Sequence, residues 1–92
     1  MSRMVNRPVA AGPADGSEEP AWERTPRWFI WRGRRLEVEA VMDEWLDTGR
    51  WWQDEAEKRF VRVVARHGSV RGTYELYCDR ATGQWHLYRI LD

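Results

Sequence analysis

Regular alternation of apolar and polar residues is the feature that most restricts the fold of this chain. Val61, Val63 and Ala65 occupy every second position of one segment, and arginines stand on either side of the series. Successive side chains of a strand point to opposite faces, so this spacing predicts a strand with one apolar face. Such a strand needs partner strands to bury that face.

Further segments combine β-branched or aromatic residues with turn residues at their ends, as strands do. The predicted strands are Arg27–Arg32, Arg35–Met42, Arg50–Gln53, Lys58–Arg66, Thr73–Cys78 and Gln84–Leu91. Asp43–Leu46 is predicted as a short helical turn, because Asp43 can cap it and Gly49 can end it.

Several of these strands are apolar on both faces, and a flat sheet would leave one of those faces wet. We therefore expect a mainly β fold: a small, strongly curled antiparallel sheet or open barrel of five to six strands with one short helix.

Glycines mark the predicted turns between the strands. Arg32-Gly33 or Gly33-Arg34 suits a primed hairpin turn, which needs positive φ. Asp79–Gly83 is predicted as a type I turn with Gly83 in the left-handed conformation. His67–Gly72, which holds two glycines, is expected to be a flexible loop.

The first 26 residues differ in composition from the rest. They contain all 4 prolines of the chain and no apolar periodicity, so we expect a disordered tail at 1–26 and a single small β domain at 27–92. Trp22 is the exception in this tail, and would either dock on the domain or serve as a short binding motif.

The expected cellular compartment rests on cysteine content and on the lack of targeting or membrane-spanning segments. The single cysteine, Cys78, cannot form an internal disulfide, which fits a reducing compartment. The sequence has neither a signal peptide nor an apolar run of about 20 residues, the length of a membrane span. We therefore expect a cytoplasmic protein without a membrane partner.

Charge and aromatic content narrow the function classes. The formal net charge is +0, from 15 basic and 15 acidic residues, whereas a general nucleic-acid binder is strongly basic. The 7 tryptophans are unusual for 92 residues. Trp51 and Trp52 are adjacent, so in an extended segment one would anchor the core while the other covers the opposite face or meets a partner.

Catalytic and metal-binding patterns are weak in this sequence. His67 and His86 are the only histidines, and with one cysteine they form no zinc-binding spacing. Cys78 and His86 could meet across the last hairpin, but Cys78 lies on an apolar alternation that is typical of a core residue. We expect a protein that is not an enzyme and that holds no cofactor or metal.

Two groups of residues could bind a partner. Trp31, Arg32, Arg34 and Arg35 form a hairpin tip that could hold phosphates and stack a base, or could be a solvated turn that keeps the hairpin soluble. The second group joins Arg62 and Arg66 with the outward-facing member of the pair Trp51 and Trp52. Arginine beside tryptophan is typical of interface hot spots and also of structural cation–π packing.

The chain resembles a family of small bacterial proteins described only as a domain of unknown function. The resemblance rests on Phe29–Arg34, Gly49–Trp52, Arg59–Val63, Tyr74–Tyr77, Thr82–Leu87 and Asp92. The part after Gly49 is also similar to the C-terminal extension of noncatalytic Y-family polymerase homologues that act as hubs of the bacterial mutasome. That second resemblance implies contact with other proteins of damage-tolerant DNA synthesis. It rests on Trp51, Trp52, Arg62, Trp85 and Leu87. These five residues are either the binding site of the family or part of the framework of its fold.

Three hypotheses follow. The first is a noncatalytic interaction module that binds a protein partner, an accessory in DNA repair or damage-tolerant DNA synthesis. The second is a nucleic-acid-binding module that uses the Arg32–Arg35 hairpin and an exposed tryptophan. The third is a small-ligand-binding or enzyme accessory domain. An unpaired edge strand would also allow a homodimer by sheet extension.

Overall fold

The computed structural model describes residues 2–12, 24–48 and 56–91. Over these ranges the chain forms one strongly curled antiparallel sheet, a half-barrel. Its strands are β1 (Arg3–Pro8), β2 (Ala11–Gly12), β3 (Trp28–Trp31), β4 (Arg34–Asp47), β5 (Lys58–His67), β6 (Val70–Asp79) and β7 (Trp85–Ile90). The mainly β, curled antiparallel prediction is confirmed, although the described residues contain seven strands and no helix.

Strands β3 to β7 form a meander, and the N-terminal segment pairs with both of its edges. The order in the sheet is β1-β7-β6-β5-β4-β3-β2. Val9 and Ala10 connect β1 to β2: the amide of Val9 donates to the carbonyl of Trp85, and the carbonyl of Ala10 accepts from the amide of Ile30. The prediction of a disordered tail is therefore wrong for residues 3–12, while 13–23, with Trp22, lie outside the described residues.

The helix predicted at Asp43–Leu46 is also wrong, because β4 continues through it to Asp47. Trp45 lies opposite Phe60 of β5, and their rings stack with centroids 5.4 Å apart. Cross-strand pairing and this aromatic contact outweigh the local capping signal. The predicted strand Arg50–Gln53, including Trp51 and Trp52, lies outside the described residues.

Two predicted turns form as expected, and one predicted loop is a tight turn instead. Arg32 and Gly33 both have positive φ, 53° and 74°, which confirms the primed hairpin turn. Gly83 has φ 71° and takes the predicted left-handed conformation. The flexible loop predicted at His67–Gly72 is wrong, because His67 already pairs with Val70 and a two-residue turn joins β5 to β6.

The core fills the inner face of the curl. The predicted series Val61, Val63 and Ala65 is fully buried. The other buried members of this core are Val9, Phe29, Leu36, Leu76, Cys78, Trp85 and Leu87. Within the described ranges, no helix is long and apolar enough to cross a membrane.

Candidate functional site

One end of the half-barrel opens into a cleft of about 310 Å³, which we call the turn cleft. Its apolar walls are Trp31, Leu36, Tyr74 and Ile90. Its rim is formed by Arg32, Arg34, His67 and Val70, which lie at or beside the β3–β4 and β5–β6 turns. The cleft therefore joins a flat apolar surface to a rim with two guanidinium groups.

The β3–β4 hairpin places the tryptophan and the arginines of this cleft. Trp31 lies opposite Arg34, and residues paired in this way project to the same face of a sheet. Arg32 stands in the turn between them, and its guanidinium lies 5.5 Å from the centroid of the Trp31 ring. Opposite this hairpin, Tyr74 meets the ring of Phe29 edge-on at 5.4 Å, and burial raises the pKa of its phenol.

The rim carries positive charge that no acidic side chain offsets in the described part of the chain. There, neither Arg32 nor Arg34 has a carboxylate within ion-pair distance. Arg35, by contrast, donates to Glu37 at 2.9 Å. Since unpaired guanidinium groups are strong donors to phosphate and carboxylate, this rim suits an anion.

The structure divides the predicted hairpin site. Trp31, Arg32 and Arg34 lie together in the turn cleft, whereas Arg35 projects to the opposite face, where its guanidinium lies 4.7 Å from the Trp28 ring. The sequence did not indicate the contributions of His67, Val70 and Tyr74 to the cleft. No local signal could have revealed them, because the order of the antiparallel strands places the β5–β6 turn at the same end of the sheet as the β3–β4 turn, and the curl then turns both toward one cleft.

Arg62 and Arg66, the second predicted group, are engaged in ion pairs on the outer face. Arg62 Nη2 donates to Glu75 Oε2 at 2.8 Å, and its guanidinium lies 5.6 Å from the Trp45 ring. Arg66 lies 3.5 Å from a carboxylate oxygen of Glu39. These contacts favour the structural interpretation of both arginines. Their predicted neighbours Trp51 and Trp52 are outside the described residues.

An aromatic row crosses the same outer face over four neighbouring strands. Trp45, Phe60, Tyr77 and His86 are consecutive partners in the strand register. The Tyr77 and His86 rings stack at 4.7 Å, and Tyr88 packs edge-on against Phe60 at 5.2 Å. Such contacts fix the register of the sheet, so this row supports the fold, although Trp45 at its end remains 37% exposed.

The second half of β4 presents apolar side chains to solvent. The exposed fractions are 46% for Val41, 59% for Met42, 37% for Trp45 and 59% for Leu46, and we call these four residues the β4 strip. β4 pairs with β5 as far as Asp47, but β3 pairs with it only as far as Glu37. Among the described residues, no strand pairs with the other edge of β4 beside the strip.

A second cleft of about 400 Å³ lies where β2 and β3 approach the β6–β7 turn. Trp28 and Trp85 contribute its aromatic walls, and Arg24 and Gln84 contribute polar groups. The Gln84 amide is already used, because it donates to the carbonyls of Val9 and Trp85 at 3.0 and 2.9 Å. This cleft therefore has fewer available polar groups than the turn cleft.

Cys78 and His86 do not meet. The Cys78 thiol lies in the core on the inner face, whereas His86 stacks on Tyr77 on the outer face. Burial, with a contribution from Asp79, raises the pKa of the Cys78 thiol to about 11. Since the thiolate is the nucleophile, burial and the raised pKa together predict low reactivity for this cysteine in the folded protein.

Thiol labelling tests this environment directly. With a pKa of about 11, the thiolate fraction at about pH 8 is on the order of one thousandth, and the side chain is fully buried. We expect a disulfide reagent to leave Cys78 unmodified in the native protein and to modify it completely in denaturant. Rapid labelling without denaturant would contradict the buried position.

Comparison with known proteins identifies the family to which the chain belongs. A search of curated proteins and a search of solved structures each gave no match. A family model described as "Domain of unknown function (DUF6504)" matches residues 1–92. This match extends over the N-terminal segment that pairs with both edges of the meander. The chain belongs to the DUF6504 family, a family of domains of unknown function.

Proposed function

We propose that this protein is a noncatalytic interaction module that binds a protein partner through the β4 strip. The observation that carries the proposal is the exposure of four large apolar side chains along one strand. Trp45 and Leu46 are neighbours in the strand, so the strip presents apolar side chains on both faces of β4, and burying them against a partner would be favourable. Trp45, in the strip, also belongs to the residue type that dominates interface hot spots.

The strand that carries the strip suggests how the partner binds. Beyond Glu37, the backbone of β4 faces away from β5 without a strand partner among the described residues. An extended segment of the partner can add to such an edge through main-chain hydrogen bonds, while its side chains contact the strip on both faces of the sheet. The proposed ligand is therefore an extended segment with apolar side chains on both of its faces.

Charge plays a smaller part in this interface. Glu39 pairs with Arg71 at 2.6 Å and with Arg66 at 3.5 Å, and Glu44 pairs with Arg59. Because these acidic groups are offset within the protein, apolar burial drives binding and the affinity should depend little on salt.

Self-association is disfavoured by the shape of the strand. The pairing of β4 with β5 shifts register twice, between Val38 and Ala40 and between Val41 and Asp43. Bulges of this kind twist an edge and discourage pairing with an identical copy. A different protein is thus the preferred occupant of the strip. The resemblance to the mutasome homologues supports a partner from damage-tolerant DNA synthesis.

The test compares two methionines of equal exposure. Met42, in the strip, and Met4, on β1, are both 59% exposed. We expect Met42→Lys with Leu46→Lys to weaken binding to a purified damage-tolerance polymerase about 30-fold, since two interface side chains contribute roughly 2 kcal/mol together. Biolayer interferometry gives the affinity, and circular dichroism should show the same melting temperature as the unmodified protein.

Met4→Lys is the matched control for Met42→Lys alone, and it should leave the affinity unchanged. The proposal fails if the Met42 and Leu46 changes leave binding intact. It also fails if light scattering shows that the strip residues hold two copies of this chain together, because the occupant is then a second copy.

A further inference from the structure

The turn cleft differs from the β4 strip in charge and in shape. Among the described arginines, those that line the sheet faces mostly pair with carboxylates, as Arg62 does with Glu75 and Arg71 with Glu39. Arg32 and Arg34 have no such partner in the described part, and both stand on one rim. Two neighbouring guanidinium groups without counter-charges favour a ligand with an anionic group.

The walls of the cleft suit a flat ring beside that anion. Trp31 and Tyr74 contribute aromatic side chains, and both are partly exposed. The volume of about 310 Å³ is at the lower end of the range for small-ligand sites, about 300–1,000 Å³. A site of this size receives one ring with its attached groups, and its open mouth lets a chain continue on either side.

We propose that the turn cleft binds one nucleotide of a single-stranded nucleic acid. The base lies against Trp31 and Tyr74, while Arg32 and Arg34 hold the flanking phosphates. Stacking on aromatic side chains combined with cationic contacts to phosphate is the general mode of single-strand binding. Paired bases of a duplex cannot enter the cleft, so a single strand is favoured over a duplex.

This proposal is independent of the protein-binding proposal, because it uses another surface. None of the four strip residues lines the turn cleft. Because the net charge of the protein is +0, only local contacts attract the nucleic acid, and added salt should readily weaken binding.

Fluorescence anisotropy with a labelled single-stranded oligothymidylate tests the site. We expect saturable binding at low salt. The logarithm of the association constant should fall with the logarithm of salt concentration with a slope of about −1.4, for two phosphates at about −0.7 each. An unlabelled duplex should compete poorly. The Met42→Lys change should leave the affinity as it is.

The key variant is Arg32→Asn with Arg34→Gln. Asparagine followed by Gly33 suits the primed turn, where Arg32 now has φ 53°, so this variant should keep its melting temperature. We expect binding to weaken about tenfold or more and the salt slope to approach zero. The charge-matched control, Arg35→Gln with Arg71→Gln, removes two exposed arginines outside the cleft and should retain the unmodified affinity.

Val70→Glu gives a second, independent test. Val70 is 68% exposed on the rim, so the change places a carboxylate beside the proposed phosphate position without disturbing the core. Binding should weaken here as well. The proposal is overturned if no saturable binding occurs at low salt, if the key variant binds as tightly as its control, or if a duplex competes as well as the single strand.

Discussion

Deletion of residues 1–12 is expected to abolish cooperative folding of the whole domain. These residues supply β1, which pairs with β7, and β2, which pairs with β3. Their removal would leave both edge strands of the meander unpaired and would uncover core side chains such as Trp85. A small domain cannot tolerate such losses, because the free energy of unfolding of a native protein is typically only about 5–15 kcal/mol.

Several specific contacts would be lost together. Val9 is 5% exposed and packs in the core. The Tyr77 hydroxyl donates to Asn6 Oδ1 at 2.7 Å, and the Gln84 amide donates to the Val9 carbonyl at 3.0 Å. Since apolar burial, partly buried hydrogen bonds and sheet pairing disappear in one step, the expected loss is comparable with the total stability.

Circular dichroism of the deletion variant on heating provides the measurement. A chain of 13–92 should lack the sigmoidal unfolding transition of the full chain. A cooperative transition at an unchanged temperature would show that the N-terminal segment is dispensable. Two point variants test the same segment. Val9→Asp buries an unpaired carboxylate and should lower the free energy of unfolding by about 3 kcal/mol or more. Ala10→Asp, at the adjacent exposed position, should lower it only slightly.

The central strands could be predicted from sequence because their signal is local. In β5, the series Val61, Val63 and Ala65 has the period of a strand, and all three side chains are fully buried. In the β3–β4 turn, Gly33 takes the positive φ expected of a primed hairpin. Patterns of this kind depend on backbone geometry over a few residues, so tertiary contacts did not alter them.

The N-terminal strands and the end of β4 depend on contacts distant in sequence. Ala11 and Gly12 form a strand only because the edge of β3 offers them partners, and a two-residue segment has no periodicity. Asp43–Leu46 has a capping residue of a helix, but its backbone pairs with β5. Local preference is weak in both places, and the sheet decides the outcome.

The candidate site could be predicted only in part for the same reason. The register of the primed turn pairs Trp31 with Arg34, so simple alternation already implies that Arg34 lies on the face of Trp31 and Arg35 on the other. The contribution of Tyr74 depends on the curl of the whole sheet, because it comes from a strand that is not adjacent to β3. Curvature of this kind has no signature in a single segment.

Loss of Glu75 is expected to be the most damaging change among the charged residues. This side chain is 1% exposed and lies between Arg62 and Arg89 in the strand register. Arg62 donates to Oε2 through Nε at 3.0 Å and through Nη2 at 2.8 Å. Arg89 Nε lies 3.3 Å from Oε1 but does not form a hydrogen bond with it, so its contribution is electrostatic.

We expect Glu75→Ala to lower the free energy of unfolding by about 2–3 kcal/mol. Breaking a buried ion pair costs about 3–5 kcal/mol. Here the cost is smaller, because the Arg62 and Arg89 side chains remain 38% and 36% exposed and can be rehydrated. Urea denaturation at neutral pH measures the change.

Glu37→Ala is the matched control for this prediction. Glu37 pairs with Arg35 on the surface, where their side chains are 51% and 56% exposed, so its loss should cost less than about 1 kcal/mol. Glu75→Gln separates charge from shape: it keeps an oxygen that can accept from Arg62 and should cost less than the alanine change. Equal losses for Glu75→Ala and Glu37→Ala would contradict a structural role for the Arg62–Glu75–Arg89 row. A larger loss at Glu75 would mean that Arg62 stabilises the sheet through its pairing with Glu75.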